Sequence, residues 1–163
     1  MSNRVLNNFT SLLGSMSNSD NKITHLHYSG IYRNGKKIYL GSNHFRSTYN
    51  GECICFSTHA EMDVLHKLLK DYTQQPFKDV IKLKNCCIIV ARVTKDGTIR
   101  NSRPCNNCLD MMSKYNIKNI IYSTDDGFFI VDKPQNMEKL HSSSGWNTFK
   151  DPSRLNKPKK IPV

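Results

Sequence analysis

The sequence predicts one α/β domain in three layers, α/β/α, built around a central mixed sheet. Three observations carry that reading. Apolar residues recur at intervals of three and four in three separate segments, the spacing of amphipathic helices. Two compact runs, Cys86-Cys87-Ile88-Ile89-Val90-Ala91-Arg92-Val93 and Asn119-Ile120-Ile121-Tyr122-Ser123, are short, apolar and rich in β-branched residues, as buried strands are. The length, 163 residues, suits one hydrophobic core, because two domains would each fall short of one.

Taken along the chain, Val5, Leu6, Phe9, Leu12, Leu13 and Met16 form the stripe of a first helix, which ends before the polar turn at 17–21. Strands at 26–32 and 37–41 flank Asn34-Gly35, a pair suited to the left-handed backbone of a tight hairpin. Residues 45–55 show no clear period and read as a loop. From 59 to 72, Met62, Leu65, Leu68, Leu69 and Tyr72 give a second helix, with Ser57 or Thr58 available to cap it. The run at 86–93 is the central strand, and Asp96-Gly97 turns the chain toward a short extended piece at 98–100. Pro104 then precedes a third helix carrying Leu109, Met111, Met112 and Tyr115. Strands at 119–123 and 128–131 are joined through Asp126-Gly127. So short a connection favours an antiparallel hairpin over a parallel crossover, which needs a dozen or more residues. The expected division is a domain over 1–150 and a basic, mobile tail over 151–163.

Lys and Arg number 24 against 13 Asp and Glu, a formal charge of +11, with 37% apolar residues. This excludes collagen-like and low-complexity classes, and it favours attraction to phosphate or another anionic surface. No run reaches the roughly 18–20 apolar residues of a membrane helix, and the first residues lack the apolar core of a signal peptide. An intracellular chain with no membrane partner is therefore expected. Six cysteines are too few to define a disulfide scaffold, which turns attention to metal ligation.

The chemistry concentrates in Thr58-His59-Ala60-Glu61 and Arg103-Pro104-Cys105-Asn106-Asn107-Cys108. Cys105 and Cys108 are three apart and project from one side of a helix's first turn, while His59 opens another helix. Two thiolates and an imidazole suit tetrahedral Zn2+, and three protein ligands leave a fourth position for water, the arrangement of a catalytic rather than a structural site. Glu61 is then the carboxylate placed to carry that water's proton. H-x-E with P-C-x-x-C is a signature of zinc nucleobase deaminases. Each part alone has blander readings: a capping histidine, a surface glutamate, a structural zinc knuckle or a redox pair. A closed Cys3His site, using Cys53 or Cys55 as fourth ligand, is the strongest competitor. Cys86 and Cys87 read as core thiols facing opposite sides of the sheet.

At His59-Ala60-Glu61 and Pro104-Cys105-Asn106-Asn107-Cys108 the chain resembles the cytidine deaminase-like superfamily, and the order of elements resembles that fold over roughly residues 5–132. The resemblance implies zinc on His59, Cys105 and Cys108, a proton shuttle at Glu61 and base contact from the Ala60 backbone. It also implies substrate contacts from Asn43 and Tyr122, although Asn43 reads equally as a backbone-bonding turn residue and Tyr122 as packing at the sheet edge. The activity implied is hydrolysis at C4 of a cytosine-containing nucleoside or nucleotide, releasing ammonia and leaving uracil. Alternatives are a deaminase of single-stranded nucleic acid or transfer RNA, with Tyr28, Tyr32, Phe45 and Tyr49 gathered as stacking platforms, or a non-enzymatic nucleic-acid-binding zinc protein. Asp125 and Asp126 read as turn formers. The family includes oligomers, so a homo-oligomer is among the implied assemblies.

Overall fold

The computed structural model describes residues 3–16, 26–45, 48–49, 54–55, 57–73 and 80–143. Helix α1 (Asn3–Met16) is followed by β1 (Leu26–Arg33) and β2 (Lys36–Ser42), an antiparallel hairpin. Its turn places Asn34 at φ +49 and Gly35 at φ +79, both left-handed, which is why an Asn-Gly pair stands there. Two-residue strands β3 (Thr48–Tyr49) and β4 (Ile54–Cys55) pair antiparallel in a separate small ribbon. That corrects the expectation of a plain loop over 45–55; strands of two residues are too short to show a period of two. Helix α2 (Ala60–Thr73) and a 3-10 turn (Val80–Asn85) then lead into β5 (Cys86–Val93). β6 (Ile99–Arg100), α3 (Asn106–Lys114), β7 (Asn119–Ser123), β8 (Phe129–Asp132) and a second 3-10 turn (Pro134–Asn136) complete the order.

The main sheet runs β2-β1-β5-β7-β8, with β6 on the end of β5. β5 and β7 are parallel, and every other pair is antiparallel, including β7 with β8, so the sheet is mixed and the expected hairpin is present. Strand alternation sends successive residues to opposite faces. Ile31, Ile88, Val90, Ile120 and Tyr122 face α2 and α3, together with Leu65, Leu109 and Met112. Tyr28, Tyr32, Ile89, Ala91 and Ile121 face α1, against Val5, Phe9 and Leu13. Cys86 and Cys87 divide between these clusters as their adjacency requires. Each fully buried Ile or Leu contributes roughly 1.5–3 kcal/mol of transfer free energy, so both helical layers are needed to cover the sheet.

This layering overturns one expectation. Tyr28 and Tyr32 belong to the α1 face, and Phe45 is 74% exposed, so these aromatics form no common platform. The Tyr49 side chain, and the segment 151–163 expected to be a tail, lie outside the described residues. Among the described residues, no helix is long and apolar enough to cross a membrane.

α2 is seated on β2 by polar contacts as well as packing. The Asp63 carboxylate accepts the Ser42 N–H at 3.2 Å and pairs with Lys67 at 2.8 Å, while Lys67 Nζ donates to the Leu40 carbonyl at 2.9 Å. A β-carbon at Gly41 would overlap the Asp63 carboxylate and come within 2.9 Å of Val64, so only glycine permits this approach of helix to strand.

Candidate metal centre

His59 is the residue before α2, and its carbonyl accepts the Asp63 N–H at 2.9 Å to begin that helix. Cys105 occupies the equivalent place on α3, with extended backbone (φ −75°, ψ 166°) and its carbonyl accepting the Leu109 N–H at 3.0 Å. Cys108 follows in the first turn of α3. The two helix starts converge, and His59 Nδ1 lies 3.6 Å from Cys105 Sγ and 3.4 Å from Cys108 Sγ. Among the described residues, these three form the group whose ligand atoms, all within 4.8 Å of one another, suit a metal ion.

The donor set fits zinc. Bonds of about 2.0–2.1 Å to nitrogen and about 2.3 Å to sulfur, at tetrahedral angles, place N and S roughly 3.5–3.6 Å apart. The observed separations match that figure. A second observation comes from Glu61, which is 3% exposed and whose Oε2 has no hydrogen-bond partner. A buried carboxylate oxygen left without a donor is costly, and a metal held by His59, Cys105 and Cys108 would supply one through a bound water.

Electrostatics tie the four groups together. The Cys105 thiol is pulled down to about 4, chiefly by the hydrogen bond from Cys108, with His59 adding to it against the opposing effect of burial. His59 is pushed up to about 9 by its hydrogen bond with Cys105, despite burial. Both shifts favour an imidazolium paired with a thiolate in the metal-free site, from which a metal ion would displace the His59 proton. Burial raises the Glu61 carboxyl above its ordinary range, opposed by the charge on His59 and reinforced by that on Cys105. A carboxyl so placed can hold a proton and give it up, which is what a shuttle does.

Ser102 and Ser123, 2% and 0% exposed, lock the approach to Cys105. Ser102 Oγ donates to the Val90 carbonyl and accepts the Ser123 N–H, each at 2.9 Å. Ser123 Oγ donates to the Arg100 carbonyl at 2.6 Å, and the Ser102 N–H donates to the Ser123 carbonyl at 2.9 Å. Neither serine stands out in sequence, because these partners are 12 to 23 residues away along the chain. On the other side, the Thr58 and His44 backbones exchange hydrogen bonds at 2.9 and 3.0 Å beside His59.

The remaining sequence candidates separate. Ala60 is fully buried at the first position of α2, next to His59. Tyr122 is 5% exposed and packs in the cluster that contains Cys105 and Cys108. Asn43 bonds the backbone: Oδ1 accepts the His27 N–H at 2.8 Å, and its own N–H donates to the His27 carbonyl at 3.0 Å. Asp125 accepts the Asn101 N–H at 3.0 Å, joining the β7–β8 turn to the loop before the cysteines. Cys53 and the Cys55 side chain lie outside the described residues.

No family model matches the chain, and no curated protein matches it. Among solved structures, the cytidine deaminase of Burkholderia pseudomallei is similar over 83% of this chain and 95% of its own, with a TM-score of 0.54 at 15% identity. This chain has the cytidine deaminase fold. The dCMP deaminase of cyanophage S-TIM5 is also similar in two forms, at 19% identity and a TM-score of 0.47 each. Its apo form aligns over 76% of this chain and 86% of its own, and its complex with dCMP and dUMP over 78% and 89%. Within the cytidine deaminase fold, the His59, Cys105 and Cys108 trio sits on two helix starts on one face of the sheet, under the α2–α3 layer.

Proposed function

We propose that this protein is a zinc-dependent deaminase that hydrolyses the exocyclic amine of a cytosine-containing nucleoside or nucleotide, consuming water and releasing ammonia and the uracil product. The observation that carries the reading is the unpartnered, buried Glu61 Oε2 beside a nitrogen–sulfur–sulfur trio at zinc spacing. His59, Cys105 and Cys108 hold the metal. Zinc, when bound, acts as a Lewis acid that lowers the pKa of a coordinated water toward neutrality.

The protein's own groups do the rest. Glu61 takes one proton from the attacking water and delivers it to N3 of the base as the C4–O bond forms. It then takes the second proton from the new C4 hydroxyl and delivers it to the amine as the C4–N bond breaks and the carbonyl forms. Burial raises its pKa above the ordinary carboxyl range, which favours its holding a proton between the two transfers. The Ala60 backbone is the proposed contact to the base, with Tyr122 and Asn43 as further candidate contacts. The catalytic unit spans 1–150, with 151–163 a basic tail. The fold shared with a cytidine deaminase supports a cytosine substrate. A nucleic-acid substrate is disfavoured because Tyr28 and Tyr32 lie on the α1 face, leaving them unable to stack successive bases near the site.

The test is ammonia release by the zinc-loaded full chain from cytidine, deoxycytidine, their monophosphates, adenosine and a single-stranded oligonucleotide. Release from a free cytosine compound is expected. Release from the oligonucleotide alone would make it a polymer-acting enzyme, and tight, salt-dependent oligonucleotide binding without any turnover would replace the enzyme with a binding protein.

A further inference from the structure

We infer that Arg103 is a positioning residue that holds the segment 137–142 as a wall across the metal site, so that it governs access to the metal and substrate affinity. The inference rests on the reading of the site as a zinc-dependent deaminase. Arg103 lies two residues before Cys105. Its guanidinium reaches two places distant in sequence: Nη2 donates to the Glu138 carbonyl at 2.9 Å, and Nη1 lies 3.3 Å from the Tyr122 hydroxyl. The guanidinium carbon is 5.9 Å from the centre of the Tyr122 ring. One planar fork thus clamps an aromatic of the site face and the chain beyond the last strand, a geometry that lysine cannot reproduce.

What Arg103 holds is pinned at several further points around α3. The Asn106 N–H, the first of that helix and adjacent to Cys105, donates to the His141 carbonyl at 2.8 Å, and Asn106 Nδ2 is 3.5 Å from Ser142 Oγ. Lys139 pairs with Asp110 at 2.5 Å on the outer side. Met137 is 7% exposed and packs in the cluster that contains both cysteines and Tyr122. The segment therefore enters the core at Met137, passes Arg103 at Glu138 and reaches the N-terminus of α3 at His141, where the first ligand turn begins. Its outer pair is exposed and worth little. The Arg103–Tyr122 and Asn106–Ser142 contacts are half-buried, and together with the exposed Arg103–Glu138 bond they set the wall.

The experiment uses zinc-loaded full-length protein with Arg103→Gln and Arg103→Lys. Three quantities are read: amide hydrogen exchange by segment, the rate at which a chelator strips zinc, and kcat and KM on the best substrate of the panel above. For Arg103→Gln, exchange over 137–142 and zinc stripping should each rise roughly tenfold or more, the equivalent of one charge-assisted hydrogen bond. Initial zinc content and exchange in β5 should not change, and KM should rise while kcat holds. Arg103→Lys should recover only part of the effect. Unchanged exchange over 137–142 in Arg103→Gln rejects the clamp. Faster exchange with unchanged zinc stripping rejects the wall, as does a loss confined to kcat. A wild type that turns over none of the compounds sinks the deaminase reading, and the stripping rate still decides the wall.

Discussion

Under α1 the sheet buries Phe9, Tyr28, Tyr32, Ile89 and Ile121; on its other face the same strands bury Ile88, Val90, Ile120 and Tyr122 beside Cys105, Cys108 and, in α2, the carboxyl of Glu61. Both faces pack apolar side chains against helices. They differ in whether their buried polar atoms converge. On the α1 side the Tyr32 hydroxyl is without a hydrogen-bond partner and is pushed up to about 12 by burial and the nearby Cys87, and among the described residues no group of three metal-ligating side chains forms around it. On the α2–α3 side the ligand atoms of an imidazole and two thiols lie within 4.8 Å of one another, and the buried Glu61 carboxyl feels the charges of that imidazole and of Cys105. A single sheet can therefore give one face to stability and the other to chemistry, and the two faces should respond differently to substitution.

The largest expected contrast is catalytic. Glu61→Gln should lower ammonia release by about 10²–10⁴-fold while zinc content, read by metal analysis, stays at one ion per chain. Cys105→Ser should do the reverse, losing zinc first and activity in consequence. Turnover close to wild type in Glu61→Gln would remove the shuttle from the mechanism. On the opposite face, Phe9→Ala should cost about 3–5 kcal/mol in denaturant unfolding and leave zinc affinity unchanged under conditions where the protein is folded. A fall in zinc affinity there would show that the faces are coupled after all.

A smaller effect sharpens the role of the serine pair. Ser102→Ala leaves the Val90 carbonyl and the Ser123 N–H short of a partner and should cost about 1–3 kcal/mol. Because those bonds hold the approach to Cys105, zinc affinity should fall with it; a stability loss at constant affinity would make the pair a core feature alone.

The smallest effect is read in pH. In metal-free protein His59 is raised from 6.5 to about 9, so its contribution to stability is complete below pH 6.5 and fades as pH rises through 9. Cys105 is lowered from 9.0 to about 4, so its contribution is complete above pH 9 and is lost as pH falls toward 4. The two slopes cancel between about pH 6.5 and 9 and add no compensation below it. Metal-free stability should therefore be flat across that window and decline on acidification. Phe9→Ala should keep this shape, Glu61→Gln should steepen the acid limb because the raised carboxyl opposes it, and Cys105→Ser should lose that limb.

Much of this was legible in one dimension. The three helices, the Asn34-Gly35 hairpin, the strands at 86–93 and 119–123 and the antiparallel return of β8 follow from period, turn chemistry and connection length. The metal trio was legible because Cys105 and Cys108 sit within one helical turn and His59 immediately precedes another helix. The short β3–β4 ribbon, both 3-10 turns and the side of the sheet that each tyrosine occupies were not, since segments of two to six residues carry too little pattern.

The local order of the chain therefore determined which residues carry chemistry, because helix starts and ligand spacing are short-range properties. Only the tertiary structure decided which of those residues meet. The 3.4 and 3.6 Å approaches at His59, the serine lock on Cys105 and the reach of Arg103 to Tyr122 and Glu138 join residues 19 to 49 positions apart. Sequence periodicity cannot encode such pairs directly. They exist because sheet register and the packing of two helices on one face bring distant backbone positions to fixed distances, where side chains of the right length complete the contact.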